Sequence, residues 1–279
     1  MMKKALLVGL NSYMNLPTMS LQGAVRDVQD METMMKKHMG MGDSDIIKLT
    51  DAQATKANIM MQMQQMMDMA KSNQMDHLMI MMAGHGTIMP DVMGEDPDRA
   101  DMAFCAHDLA QMGHRWDPKT MITSEDMVQM MMGMPKTVMV EMIMDMGVSP
   151  MMMKPMDMMM DRTPRYMPPP TPEAMMEMEG RMIRTIPMMM MEMGMMNMMN
   201  MAVWMASRPD QMAMEMPLDG AVRGVMTHMM MKVMDSTQNR MSRKEMLMRL
   251  RANMKEMHMM QIPQMEATMT MKNMPMGSM

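Results

Sequence analysis

The sequence predicts one α/β domain, a doubly wound and mostly parallel sheet with helices on both faces. Three observations carry that expectation. Short apolar runs alternate with stretches of helical periodicity from residue 5 to residue 145. The runs are mainly apolar, and their alternation with helices implies a mostly parallel sheet covered on both faces. At 279 residues the chain can bury one large core. In such sheets ligands bind beyond the carboxyl ends of the strands, so the residues that follow each run are the candidates for chemistry.

Residues 5–10 (ALLVGL) form the first expected strand, which stops at Asn11. Residues 15–20 hold Pro17 and read as a loop; beyond it Ala24, Val28, Met31 and Met35 share one helical face. Residues 46–49 are a second strand, after which Thr50 and Asp51 supply cap chemistry for a long helix through Ala70. A third strand, 77–82, is stopped by Gly84-His85-Gly86-Thr87, and an acidic loop at 91–101 leads to a short strand at 102–106. Ser124, Glu125 and Asp126 open another helix with acids at its positive end. Residues 137–144 are a fourth strand that closes on Asp145. The pattern then dissolves, and 151–199 is expected as an irregular insertion within the single domain. Order returns with a strand at 201–206, a helix at 224–234 and a capping box, Ser242-Arg243-Lys244-Glu245, that opens a last helix.

Methionine occurs 77 times, against one Phe, two Tyr and two Trp. Because Met is flexible and specifies packing poorly, the other residues carry the signal. Spaced thioethers can bind Cu(I), but these methionines spread along the whole chain instead of clustering in one segment. The net charge of −5, with no basic block, argues against a nucleic-acid partner or an anionic membrane surface. No run reaches the ~18 apolar residues of a membrane span. The six apolar residues behind MMKK fall short of a signal segment. Cys105 is the single cysteine, so no intramolecular disulfide closes and a reducing cytoplasm is the expected compartment.

His85 stands between two glycines directly after an apolar run. That setting lets the backbone turn sharply and leaves the imidazole at the sheet edge, a good place for a general base, although a plain turn histidine has the same spacing. Parallel order brings Asp145 to the same edge, where a solvated strand-end acid or a helix cap would look alike. Asp27 lies early in the first helix, and a surface acid is its plain alternative. After Asp145 come Met146, Gly147 and Val148, so no nucleophile follows the strand.

Four segments in this order, KKALLVGLN (3–11), LQGAVRDV (21–28), AGHGT (83–87) and ASRPDQ (206–211), resemble the caspase-like cysteine peptidases, and most closely the metacaspases and their bacterial relatives. The resemblance covers residues 3–147 and 200–265, and the joint order makes it specific where GHG alone would not. It implies a caspase-like α/β fold and an endopeptidase with a Cys–His dyad. His85 is then the base, and the nucleophile belongs two residues after Asp145, where this chain has Gly147. Glycine supplies neither sulfur nor a substitute. Ser149 is offset by two residues, and Cys105 reads as a small buried core residue.

The resemblance further implies that the N–H groups of Gly86 and residue 147 form an oxyanion hole. Asp27 and Asp145 would line a pocket for Arg or Lys before the cut, two carboxylates suiting the guanidinium fork. Ser207 and Asp210 join the expected substrate-binding set. No cofactor is required. Some family members respond to calcium through clustered acids, for which Asp101, Glu125 and Asp126 are the candidates. Residues 94–99 are a candidate substrate-facing rim. The expected partner is a peptide or protein with Arg or Lys before the cut, and the expected state is a monomer. The alternative is a caspase-fold module that binds peptides or protein partners without cutting them. A nucleotide-binding domain is a third class, but VGLNSY after the first run is no phosphate loop.

Overall fold

The structure, a computed structural model, describes residues 2–91, 96, 98–148, 157 and 159–278. In chain order the first half holds β1 (Lys3–Gly9), α1 (Ala24–Met39), β2 (Ile46–Thr50), α2 (Lys56–Lys71), β3 (His77–Ala83), β4 (Gly86–Pro90) and β5 (Arg99–Cys105). A small hairpin of β6 (Gln111–Met112) and β7 (Arg115–Trp116) precedes β8 (Met121–Thr123), α3 (Ser124–Met131) and β9 (Met139–Asp145). Beyond these lie β10 (Thr163–Pro164), α4 (Pro172–Met178), β11 (Met182–Arg184), α5 (Ile186–Glu192) and β12 (Asn200–Met205). The chain then forms β13 (Met214–Leu218), β14 (Ala221–Gly224), α6 (Val225–Thr237), α7 (Arg243–Glu256), β15 (Gln264–Ala267) and α8 (Met269–Lys272).

The main sheet has the order β15-β12-β9-β3-β1-β2 and is parallel apart from β15, which runs antiparallel to β12. Its central strands are covered on both faces: every residue of β3 and of β9 is buried. One core lies between the sheet and α2 and α3, the other between the sheet and α1, α6 and α7. Both are filled largely by methionine, among them Met63, Met66, Met67 and Met142 on one side and Met31, Met35, Met79 and Met230 on the other. The doubly wound α/β expectation therefore holds.

Local chemistry explains most boundaries. Helix α1 buries Ala24, Val28, Met31 and Met35 and ends where Gly40, at φ 67°, donates its N–H to the Met35 carbonyl. The capping boxes are Thr123 with Asp126 at α3 and Ser242 with Glu245 at α7. The cap expected at Thr50 and Asp51 is displaced to Thr55, whose side chain accepts the Asn58 N–H. The Asp51 carboxylate is engaged elsewhere, accepting the N–H groups of Asn11 and Ser12 at 2.8 and 2.9 Å. Residues 151–199 also need correction. From Thr163 onward they carry β10, α4, β11 and α5, and Arg184 in β11 is ion-paired to Asp91 and Asp101. Helix α7 is followed by a further short helix, α8, so it is not the last.

The carboxyl-terminal elements are tied to the sheet through Glu141, buried in the middle of β9. Its carboxylate accepts from Trp204 Nε1 at 2.6 Å and from Arg243 Nε at 3.0 Å, while Arg243 Nη1 donates to the carbonyls of Met271, Met274 and Pro275. Both charged side chains are fully buried. Arg243→Ala is expected to cost about 3–5 kcal/mol, because it leaves the Glu141 charge without its guanidinium. A urea melt reads this as a lower midpoint. The pair of apolar replacements Arg243→Met and Glu141→Leu is expected to recover part of the loss.

Candidate functional site

Register brings the ends of three strands level: Gly9 lies opposite Ala83, and Ala83 opposite Asp145. The chain leaves β3 through Gly84, and the Gly84 N–H donates to the Asp145 carbonyl at 3.3 Å. His85 follows, almost wholly buried. Its backbone N–H donates to the Tyr13 hydroxyl at 2.8 Å, and its Nε2 donates to the Met19 carbonyl at 2.8 Å. A carbonyl only accepts, so this contact assigns the proton to Nε2 and leaves Nδ1 as the acceptor. Nδ1 is buried and has no hydrogen-bond partner. Burial pushes the imidazole down to about 4, with Met19 opposing and the Arg165 charge assisting, so the ring is neutral at pH 7.

Beside His85 the chain seats one of its own residues. The Arg165 carbonyl accepts the N–H of Gly147 at 2.9 Å and the N–H of Gly86 at 3.1 Å. Its guanidinium enters a closed pocket of three carboxylates. Nη2 donates to Asp27 at 2.5 Å and to Glu215 at 3.2 Å, Nε donates to Glu215 at 3.3 Å, and Nη1 lies 3.3 Å from an Asp145 oxygen. Arg165, Asp27 and Asp145 are fully buried. Burial works against the guanidinium's charge, and Asp27, Asp145 and Glu215 overcome it to raise its pKa. Asp27 is pushed up to about 7, first by burial and also by Asp145, against the pull of Arg165.

Backbone donors fix the carboxylates. Glu215 accepts the N–H groups of Gln22 and Gly23 at 2.7 and 3.2 Å, Asp27 accepts the Gly224 N–H at 3.0 Å, and Asp145 accepts the Thr227 N–H at 3.0 Å and its hydroxyl at 2.5 Å. Asp27 reaches the pocket because α1 sits close on the end of β1: a Cβ at Gly9 would lie 2.7 Å from the Ala24 carbonyl oxygen. Gly86 is equally constrained, since a Cβ there would strike the Gly147 carbonyl oxygen. Gly147 differs. A Cβ on it would sit between Ala213 and Arg165, 3.1 Å from the Ala213 nitrogen and 3.3 Å from the Arg165 carbonyl oxygen, a tight fit that a small shift of either neighbour relieves.

His85, Gly86, Gly147, Asp27 and Asp145 thus converge. Ser207 and Asp210 have their hydrogen-bond and ion-pair partners in the neighbouring turn. The Ser207 hydroxyl donates to the Gln211 carbonyl within its own turn, at 2.9 Å, and Asp210 pairs with Arg208 at the surface, bordering a cavity of about 720 Å³ beyond Tyr166. Cys105 lies buried in β5, its thiol pushed up by burial. Ser149 and residues 94, 95 and 97 of the candidate rim lie outside the described residues. The acids considered for calcium each have another partner. Asp101 is paired to Arg184 at 2.9 Å, Asp126 caps α3 and binds Lys56 at 2.7 Å, and Glu125 accepts from Gln129 at 3.2 Å. Among the described residues no cluster of His, Cys, Asp and Glu could hold a metal.

Four participants escaped the sequence reading: Arg165, Glu215, the Met19 carbonyl and the Tyr13 hydroxyl. Only Glu215 had a local signal. It is an acid inside an apolar run that ends in Asp219-Gly220, and Asp-Gly is a strong hairpin mark.

The strand order and the placing of His85 and Asp145 at adjacent strand ends define a caspase-type α/β domain. A sequence model of the caspase domain matches residues 2–275, and the chain belongs to the caspase domain family of cysteine peptidases. Metacaspase-1A of Aspergillus fumigatus is 34% identical over 118 residues, covering 40% of this chain and 28% of that protein. Metacaspase-1B of Aspergillus oryzae is 36% identical over 118 residues, covering 40% of this chain and 27% of that one. The matched stretch is thus just over a quarter of either relative. In three dimensions a protein from Geobacter sulfurreducens superposes with a TM-score of 0.67 at 16% identity over 99% of this chain and 98% of its own. Caspase-1 from Spodoptera frugiperda gives 0.56 at 9% identity, over 95% and 88%. Among the described residues no helix is long and apolar enough to cross a membrane.

The depressed His85 pKa has a consequence for stability. With the folded value near 4 and the unfolded value near 6.5, its contribution is present above pH 6.5 and lost as pH falls towards 4. Against His85→Asn, the parent is expected to lose on the order of 3 kcal/mol over that window. Paired urea melts from pH 7 to pH 4 check this, since the contributions of Asp27 and His77 cancel in the difference.

Proposed function

We propose that the site is built for endopeptidase cleavage after Arg or Lys by a Cys–His dyad, with His85 the base and residue 147 the nucleophile position. What supports the reading is the seat of Arg165: a guanidinium among Asp27, Asp145 and Glu215 with its carbonyl between two N–H groups. A pocket of three buried carboxyl groups selects a cation, because a neutral side chain there would leave buried negative charge unpaired. The two N–H donors fix the carbonyl oxygen where negative charge develops as a tetrahedral centre forms. A thiol at position 147 would give its proton to the free Nδ1 of His85, and the resulting imidazolium would return it to the leaving nitrogen.

Gly147 itself favours a second reading, a module that holds Arg-bearing peptides or partners without cutting them. The oxyanion donors are backbone groups and the pocket is made of carboxylates, so binding needs nothing from the side chain at 147.

Gly147→Cys separates the two. The variant is expected to release coumarin from Arg- and Lys-coumarin peptides, and His85→Ala in the same background to abolish release. Asp27→Asn is expected to lower kcat/KM by about 30-fold or more, the loss of one desolvated charge partner. An intact thiol at 147 that turns over neither substrate sinks the peptidase reading and leaves the binding module.

A further inference from the structure

We infer that Arg184 is the resident cation of an acidic cluster formed by Asp91, Asp101 and Glu125, so that the chain itself supplies the charge a divalent ion would bring and closes the cluster to calcium. The inference stands apart from the peptidase reading and survives its failure. Arg184 and Asp101 lie opposite each other where β11 runs parallel to β5. Arg184 Nε donates to one Asp101 oxygen at 2.9 Å and Nη2 to the other at 3.3 Å, a two-pronged contact, and Nη2 also donates to Asp91 at 3.0 Å. All three residues are more than nine-tenths buried.

An arginine that merely joins two strands needs one acid, and this one has several. Burial works against its charge, and Asp101, Asp91 and Glu192 outweigh that to raise the guanidinium's pKa. Glu125 senses the same group: its carboxyl is pushed up by burial first, then by Asp101, Asp126 and Asp91, with Arg184 opposing. Next to it in sequence, the Ser124 hydroxyl is buried with no hydrogen-bond partner among the described residues. Carboxyl groups crowd together as they would around a hard divalent cation. Basic side chains stand in the place of one, since Asp126 is likewise bound, by Lys56 at 2.7 Å.

The place of Arg184 in the fold gives the substitution a consequence. Asp101 lies opposite Met89 in the β4–β5 ladder, and β4 starts at Gly86, whose N–H meets the Arg165 carbonyl. A mobile ion in the cluster would make that ladder respond to ion concentration. A guanidinium carried by β11 cannot diffuse away, so the ladder is held at any calcium level. Removing it leaves buried carboxylates unpaired and reopens the cluster to a cation.

The test is the melting temperature in about 10 mM calcium chloride, above the range of the weaker oxygen sites, against sodium chloride of equal ionic strength. The parent is expected not to respond. Arg184→Met keeps an apolar stem and removes the charge; it is expected to melt lower than the parent and to gain about 3 °C or more with calcium. Adding Asp101→Asn is expected to abolish that gain. No calcium response in Arg184→Met, or one that persists with Asp101→Asn, overturns the inference, as does a response of the parent that Asp101→Asn removes. If Arg184→Met does not fold in buffer, dilution from urea into calcium decides. Recovery of the folded circular-dichroism signal supports a resident cation at 184, and failure to recover it overturns the inference. None of these readouts depends on catalysis, which Gly147→Cys decides separately.

Discussion

The guanidinium of Arg165 lies among three carboxylates that reach it from elements far apart in the chain, Asp27 from α1, Asp145 from the end of β9 and Glu215 from β13. Taking one ion out of water costs several kcal/mol even after relaxation, and three like charges add mutual repulsion. Asp27 shows the strain, its carboxyl pushed up to about 7 despite the neighbouring cation. A helix, a strand end and a hairpin are thereby made to depend on a positive group at one point. The pocket is defined as much by the need for that cation as by its shape, and the proposed preference for a basic side chain would follow from the same electrostatics that hold the three elements together.

The anions are also held by groups other than the cation. Helix α6 has no side-chain cap of its own. Its first turn instead gives the Gly224 N–H to Asp27 and the Thr227 N–H to Asp145. The positive end of the helix thus steadies two carboxylates supplied by other elements. Glu215 is held in the same way by the N–H groups ahead of α1. Glycines at 9 and 86 let backbones approach where a Cβ would collide, which sets the depth of Asp27 and the line of the Gly86 and Gly147 N–H groups. Because the orienting groups are backbone, most pocket geometry persists under changes of side chain.

The legible parts of the sequence are those with local signals. Apolar runs bounded by Asn11, Gly84 and Asp145 gave the strands of the parallel sheet, and parallel order put His85 and Asp145 at one edge. Methionine hid the rest. In residues 163–192 it occupies buried and exposed positions alike, Met178 and Met190 inside and Met176 and Met191 outside, so no period emerges although α4, β11 and α5 are formed. Other features are nonlocal by nature. Nothing around Met19 marks its carbonyl as the partner of His85, and nothing near Arg165 says that its counter-ions come from 138, 20 and 50 residues away. The Asp219-Gly220 turn was a readable signal, and weighing it would have exposed the β13–β14 hairpin that carries Glu215.

Recognition and chemistry separate at position 147. In the proposed reading, binding would draw on the carboxylates, the Gly86 and Gly147 N–H groups and the edge of β13, none of which requires a side chain at 147. Cleavage requires a proton donor for the unpaired Nδ1 of His85 and a nucleophile facing the Arg165 carbonyl, and glycine supplies neither. Burial is the main cause that keeps the imidazole neutral, and the Arg165 charge acts in the same direction. A thiolate at 147 would oppose both, because a negative sulfur beside the ring favours the imidazolium. The nucleophile would thus do more than attack. It would set the protonation state of its own base, so that without it the Arg165 guanidinium can fill the pocket and its carbonyl can lie between two N–H groups while the reaction has no starting point.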